Sequence, residues 1–185
     1  MSAREFALLH HLRIRGRVAQ DRVDAVALAA AAEAGLVRIT PRGVTLTGPG
    51  LAKHRVLLTA DLESADQSVV ERTYDRFLAV NVDVKAACAQ WQAAGATADD
   101  DVLNATVDRL ERAYHRIDRP MATLGAALPR FEGYRARLGS TLDAASAGAR
   151  EQVASPIEDS FHTAWFECHE DFLLTLGRDR EADDR

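Results

Sequence analysis

Apolar residues recur at helical spacing near the start of the chain. In "AREFALLHHLRIR" (residues 3–15), Phe6, Leu9 and Leu12 lie three residues apart and share one helical face. Gly16 follows where a helix commonly ends, because glycine adopts the left-handed conformation without strain. The pattern predicts an amphipathic helix over residues 3–15.

A helix and a hairpin are predicted next. The alanine-rich stretch from Gln20 to Ala34 indicates one helix that ends at Gly35. The β-branched runs "LVRIT" and "VTLT" are joined through "PRG", in which Pro41 suits a tight turn and Gly43 suits its closing residue. Thr47 then caps a further helix.

Long helical segments follow from about Leu62, and a four-helix interpretation fits them. The predicted helices cover residues 64–94, 102–128, 131–148 and 155–177. Asp100 or Asp101 is available to cap the second, and Pro120 should kink or divide it near Arg119. One stripe of the first helix has steps of three and four: Tyr74, Leu78, Asn81, Lys85, Cys88 and Trp91.

The last helix has clear predicted ends. Ser155 is its expected N-cap, Pro156 its first residue, and Glu158 and Asp159 lie in its first turn. Gly177 ends it. Its expected core residues are Ile157, Phe161, Trp165, Cys168 and Phe172.

These elements predict a mainly α protein with two domains. Residues 1–60 form a small winged-helix-like domain with one β-hairpin, and residues 61–185 form an α-helical bundle. No apolar run approaches the roughly 18 residues of a membrane span, and the charged N-terminal stretch is unlike a signal peptide. We therefore expect a cytoplasmic protein without membrane contact.

Cys88 and Cys168 have no partner at metal-ligand spacing and are expected to be reduced, partly buried thiols.

The two domains differ in charge, although the whole chain carries a net charge of −5. Residues 1–60 contain nine basic and four acidic side chains, a balance of +5, whereas residues 61–185 contain fourteen basic and twenty-four acidic ones. The basic end indicates contact with a polyanion, and the acidic remainder indicates contact with protein or small molecules. The alternative is that Arg13, Arg15 and Arg17 only solvate a helix end, where cations complement the helix dipole.

The order of elements over residues 3–57 resembles the winged helix-turn-helix of MarR-like and PadR-like bacterial regulators. The resemblance depends on "AGLVR" and "LTGPG" and covers under a third of the chain. It implies DNA binding by a homodimer, because such regulators bind two half-sites. The segments "YDRFLAVN" and "DSFHTAWFECHEDFLLTLG" are similar to the helical C-terminal region of uncharacterised winged-helix proteins of high-GC bacteria, which implies no ligand.

Residues 17–34 are too few for a complete module of this kind. They accommodate a short strand at 17–19 and one helix of about fifteen residues, about 22 Å long. Because the segment from Asp21 to Gly35 corresponds to a recognition helix, the supporting helix is the part that is missing.

The predicted recognition helix offers few groups that read bases. Only Gln20 and Arg22 near its start are suitable donors, and Asp21 and Asp24 carry the wrong charge for phosphates. We expect weak, salt-sensitive contact with the backbone of double-stranded DNA. The candidate DNA-binding residues are Arg17, Gln20, Arg22, Arg38, Arg42 and Lys53. The open alternative is a vestigial winged helix whose alanine face packs against a partner.

Aromatic and polar side chains of the first and last long helices outline a candidate small-molecule effector site. The candidate ligand-binding residues are Tyr74, Asn81, Trp91, His162, Trp165 and His169. The same stripe also fits a packed core in which one inward Asn fixes the helix register.

No metal and no cofactor are predicted. His162 and His169 share a face but lie two helical turns apart, about 10 Å along the axis, which is too far for one zinc ion. A local hydrogen bond between Asp159 and His162 is the expected arrangement instead.

The absence of a nucleophile motif, a glycine-rich phosphate loop or paired carboxylates predicts that the protein is not an enzyme. The predicted function is transcriptional regulation by a degenerate winged-helix domain joined to a helical dimerisation or effector domain. The alternatives are a protein-interaction module that no longer binds DNA and a small-molecule sensor.

Overall fold

The computed structural model describes residues 3–63, 65–155 and 159–178. The chain folds as two compact units, Met1–Ser64 (unit 1) and Ala65–Arg185 (unit 2). Helices dominate both units, and the strands of the described residues form one antiparallel hairpin in unit 1. The predicted class, mainly α with a small hairpin and a helical bundle, is confirmed.

Unit 1 combines three helices, one 3-10 turn and the hairpin. In chain order they are α1 (Ala3–Arg15), the 3-10 turn (Gln20–Arg22), α2 (Ala25–Glu33), β1 (Val37–Thr40), β2 (Gly43–Leu46) and α3 (Gly48–Leu62). Val18 also pairs with Val44 of β2 in an isolated antiparallel bridge, which adds a one-residue third strand to the hairpin. The domain boundary predicted after residue 60 falls inside α3.

The prediction of one helix from Gln20 to Ala34 is wrong. Residues 20–22 form a 3-10 turn, and Val23 is extended. Asp24 then caps α2, because its side chain accepts a hydrogen bond of 2.7 Å from the backbone N–H of Ala27. An N-cap residue has non-helical backbone angles, so the helix begins at Ala25 and has only nine residues.

The core of unit 1 forms where α1 packs against α2, β2 and α3. Leu9 and Leu12 of α1 are almost completely buried, as their spacing predicts. Two buried imidazoles connect α1 to α3: Nδ1 of His10 lies 3.0 Å from Nε2 of His54. Phe6 stacks on the His54 ring, so the polar pair lies within an aromatic layer.

The start of α3 lies against the residue that precedes β1. Thr47 caps α3 by accepting a hydrogen bond from the Gly50 N–H, as predicted, and its hydroxyl donates to the Gly35 carbonyl. A Cβ atom at position 50 would lie 2.0 Å from the Leu36 carbonyl oxygen, whereas one at position 48 would meet nothing within 4 Å. Only glycine fits position 50 without movement of the backbone.

Unit 2 is a bundle of four long helices with one short helix before the last. They are α4 (Gln67–Ala94), α5 (Asp100–Ala127), α6 (Pro129–Ser146), α7 (Glu151–Ala154) and α8 (Phe161–Leu176). Helix α4 packs on α5, α5 on α6, α6 on α8, and α8 returns to α4. The four long helices therefore surround one core.

The predicted N-cap of α5 is wrong, and the helix is not divided at Pro120. Asp99, and not Asp100 or Asp101, is the N-cap, because its side chain accepts from the Val102 N–H. Asp100 instead binds Arg150, whose guanidinium also donates to the backbone carbonyls of Ala98 and Asp99. Pro120 lies within α5 but does not divide it.

The last helix begins later than predicted. Ser160, and not Ser155, is the N-cap of α8, and its hydroxyl donates to the Ser155 carbonyl. The predicted roles of Pro156, Ile157 and Glu158 concern residues outside the described ranges. Gly177 ends α8 in the left-handed conformation, as predicted.

The predicted stripe of α4 is half correct. Tyr74, Asn81 and Cys88 are buried, but Lys85 is exposed and Leu78 is only half-buried. Phe77 and Val84, each one residue before a wrongly predicted position, are buried in place of Leu78 and Lys85, and Val70 is buried one turn before Tyr74.

Substitution of Gly50 should destabilise unit 1, and substitution of its near neighbour should not. We expect Gly50→Ala to lower the free energy of unfolding by about 1–3 kcal/mol, because the new methyl overlaps the Leu36 carbonyl. Gly48→Ala, in the same helical turn, is the control and should change it by about 0.5 kcal/mol or less. Urea denaturation followed by circular dichroism measures both. Equal stability of the two variants would contradict the close approach.

Candidate functional site

The candidate DNA-binding residues lie on three parts of unit 1. Arg17 precedes the bridge residue Val18, Arg38 lies on β1, and Arg42 lies in the hairpin turn. The bridge brings Arg17 beside the hairpin, since its Cγ lies 3.2 Å from the position that a Cβ of Gly43 would take. All three arginines are exposed. The hairpin thus carries a local group of cations.

The remaining candidates lie outside the hairpin. Gln20 and Arg22 are exposed in the 3-10 turn, and Lys53 is half-buried on α3. Gln20 and Arg22 therefore do not belong to the helix that was predicted to present them.

Helix α2 presents small apolar side chains to solvent. Leu28 faces the core, and the exposed positions are Ala25, Val26, Ala29, Ala30 and Glu33. None of these side chains donates a hydrogen bond, although reading of base edges from a helix needs donors. The carboxylate of Asp24 is exposed at the N-terminus of α2. The exposed face of α2 is therefore suited to apolar contact and not to hydrogen bonding with base edges.

In unit 2, four candidate ligand-binding residues come together in the core between α4 and α8. The Tyr74 hydroxyl lies 3.0 Å from Nε2 of His169, and the Trp165 Nε1–H donates to Oδ1 of Asn81 over 2.9 Å. Phe77 stacks on Trp165 with 4.2 Å between ring centroids.

This cluster is packed tightly. Tyr74 and Phe77 are completely buried, and Asn81, Trp165 and His169 expose at most 7% of their surface. Because the polar groups bind one another across the two helices, the geometry suits an internal contact that fixes the packing of α8 on α4.

Trp91 and His162 lie apart from that cluster. Trp91 is ten residues beyond Asn81, about 15 Å along α4, where the Arg150 guanidinium lies 5.3 Å from its ring centre. His162 lies in the first turn of α8, where partial burial lowers its pKa. The structure therefore does not unite all six predicted residues in one site.

The side chains considered for metal binding have other surroundings. Asp159 accepts hydrogen bonds from Arg137, which also binds Glu167 of α8 at 2.8 Å. Within residues 3–63, 65–155 and 159–178, no three His, Cys, Asp or Glu side chains are grouped for a metal ion.

The two cysteines are more deeply buried than predicted. Burial raises the pKa of Cys88 to about 12, and it also raises the pKa of Cys168 well above its usual range. Because the thiolate is the reactive form of cysteine, both side chains are suited to packing in the core and not to nucleophilic or redox reactions.

A row of arginines on α5 was not predicted as a site from the sequence. They follow one another at steps of three, four and three, and they are Arg109, Arg112, Arg116 and Arg119. Such steps place side chains on one helical face, so the signal was present in the spacing. Their position beside Arg72 and Arg76 of α4 depends on how the two helices pack.

Comparisons with known proteins do not assign the chain to a family. No protein-family model matches it, and no significant match was found among curated proteins or among solved structures. No helix of the described residues is both long and apolar enough to cross a membrane. The assignment of function therefore depends on the geometry of the two units.

The hydrogen bond between Trp165 and Asn81 can be tested by a double-mutant cycle. Asn81→Leu and Trp165→Phe should each lower the free energy of unfolding by about 1–3 kcal/mol, because each leaves a buried polar group without its partner. The double variant should lose less than the sum of the two. Urea denaturation at equilibrium gives all four values, and strict additivity would show that the pair is not coupled.

Proposed function

We propose that the protein is a regulator that contacts double-stranded DNA through unit 1, mainly along the phosphate backbone. The main support is the bridge between Val18 and Val44, which completes a winged-helix-like arrangement around the hairpin. The exposed cations Arg17, Arg38 and Arg42 accompany this arrangement. Arginine side chains on a hairpin suit phosphate oxygens and the minor groove.

The composition of α2 argues against strong base readout. Its nine residues carry no side-chain donor, and Asp24 places a carboxylate at its start. Specificity would have to come from Gln20 and Arg22, or from the shape of the DNA. The proposed interaction is therefore weak and strongly dependent on salt.

Unit 2 is proposed as the dimerisation or effector part of this regulator. Its helices bury most of their large apolar side chains within the bundle, and those exposed among its described residues are Val82, Val102 and Phe166. A homodimer is proposed because two copies would present two DNA-contacting hairpins to two half-sites.

Arg42→Ala tests the role of the hairpin. Loss of one phosphate contact should weaken binding to all DNA sequences alike and lower the slope of log affinity against log salt by about 0.9. Folding should be unchanged, because the Arg42 side chain is exposed. Fluorescence anisotropy with a labelled duplex at several salt concentrations measures the slope.

A matched control removes the same charge elsewhere in unit 1. Arg55 is exposed on α3, so Arg55→Ala should leave the salt slope unchanged. If Arg42→Ala has no effect while Gln20→Ala or Asp24→Ala changes the sequence preference, the short segment reads bases and backbone-dominated binding is wrong. If none of these variants matters, DNA binding by unit 1 is wrong.

The second candidate function is that of a protein-interaction module. It is favoured by the exposed apolar face of α2, on which Val26 is 68% exposed between small alanine side chains. Small residues let another helix approach closely, so this face suits a second copy of the chain.

Charge substitution distinguishes this interface from the rest of the surface. If α2 forms the contact between two copies, Val26→Glu should convert a dimer to a monomer, because a carboxylate would be buried without a partner. Val56→Glu is the control, since Val56 is 65% exposed on α3. Light scattering after size exclusion measures the mass, and a dimer that survives Val26→Glu would exclude the α2 face.

A further inference from the structure

An open groove of about 540 Å³ runs between α4 and α5 in unit 2. Four of its lining side chains are arginines, Arg72, Arg76, Arg116 and Arg119, and the imidazole of His115 lies among them. A smaller groove of about 310 Å³ adjoins it, shares Arg116 and adds Arg109 and Arg112. The two helices thus bring six arginines to one seam.

Most of these arginines have no ion-pair partner in the part of the chain that the structure describes. Among residues 3–63, 65–155 and 159–178, no carboxylate binds Arg76, Arg112, Arg116 or Arg119, and Arg72 donates to the Ser68 hydroxyl. Four arginines elsewhere in unit 2 behave differently. Carboxylates bind Arg130, Arg135, Arg137 and Arg150.

The segregation of charge occurs within an acidic unit. Residues 65–185 contain twenty-two acidic and fourteen basic side chains, so enough carboxylates exist to neutralise every arginine. The groove nevertheless concentrates like charges, which repel one another. Such an arrangement is unfavourable in the empty protein and becomes favourable when an anion enters.

We propose that this groove binds a small anion that carries two or more phosphate groups. Guanidinium groups donate to phosphate oxygens in pairs, and the arginines stand on both walls, from α4 and from α5. The volume lies within the range of small-molecule sites, about 300–1,000 Å³. Val69 and Pro120 provide apolar contact for the remainder of the ligand.

A small anion fits this groove better than a nucleic acid does. The cationic surface is concave, and the carboxylate-bearing Asp83 lines the smaller groove. A long phosphate backbone that ran through both grooves would meet the Asp83 carboxylate, whereas a compact ligand in the larger groove avoids it. This inference identifies an effector site in unit 2 and does not depend on DNA binding by unit 1.

Titration of the full chain with sodium tripolyphosphate tests the proposal. Isothermal calorimetry at low salt should detect saturable binding of tripolyphosphate, with weaker binding of orthophosphate, which contacts fewer arginines. Arg76→Gln on one wall and Arg116→Gln on the other should each weaken binding by about tenfold or more. Arg116→Lys should recover only part of the affinity, because lysine cannot donate in the bidentate geometry.

The control is Arg55→Gln, which removes the same charge from an exposed position of unit 1. It should change the affinity by less than about twofold, because Arg55 is not among the residues that line either groove. The groove variants should melt at or above the temperature of the parent protein, since no ion pair is lost. If one of them does not fold, Arg119→Gln replaces it.

Three results would overturn the proposal. The first is no binding of tripolyphosphate at low salt. The second is equal weakening by Arg55→Gln and Arg116→Gln, which would indicate attraction by net charge alone. The third is a groove that fails to bind tripolyphosphate but whose variants lose affinity for duplex DNA, which would make it a nucleic-acid surface.

Discussion

The bundle of unit 2 depends on the contact between α4 and α8, the first and last of its long helices. Short connections hold α4 beside α5 and α5 beside α6, but α8 reaches α4 only through side-chain packing. The stacked rings of Phe77 and Trp165 provide the apolar contact, and the hydrogen bond from Trp165 to Asn81 gives it direction. Rotation of α8 would bury the indole N–H without an acceptor, at a cost of about 1–3 kcal/mol. One polar pair thus selects the face of α8 that points inward.

Local patterns predicted the helices well but not the phase of their buried faces. In α4, the buried positions of Tyr74 and Asn81 were predicted correctly. Leu78, however, was predicted to lie in the core, where the structure has its neighbour Phe77. Both residues are apolar and lie on adjacent rows of the same helix. The choice between them depends on Trp165, which is far away in sequence. Periodicity finds an apolar face, but only the partner helix determines its centre.

Local sequence patterns also failed to predict where some helices begin. Three successive aspartates, Asp99, Asp100 and Asp101, stand at the start of α5, and each is a good N-cap by residue type. Asp99 caps the helix, and Asp100 binds Arg150, which lies fifty residues away in the sequence. Pro120 was expected to kink or divide α5 near Arg119. It lies within a helix that continues to Ala127, on the side that lines the groove.

The net charge of each segment of the sequence indicated the cationic surface of unit 1 but not the arginine groove of unit 2. In unit 1 the basic residues exceed the acidic ones, so a simple count is sufficient. In unit 2 the arginines of α5 are outnumbered along the sequence, and helical spacing with the packing of α4 separates them from the carboxylates. The two surfaces also differ in shape, since one is a hairpin with exposed arginines and the other is a groove. Under the two proposals, shape and not charge decides which anion each surface suits: an extended phosphate backbone contacts the hairpin, and a compact ligand fills the groove.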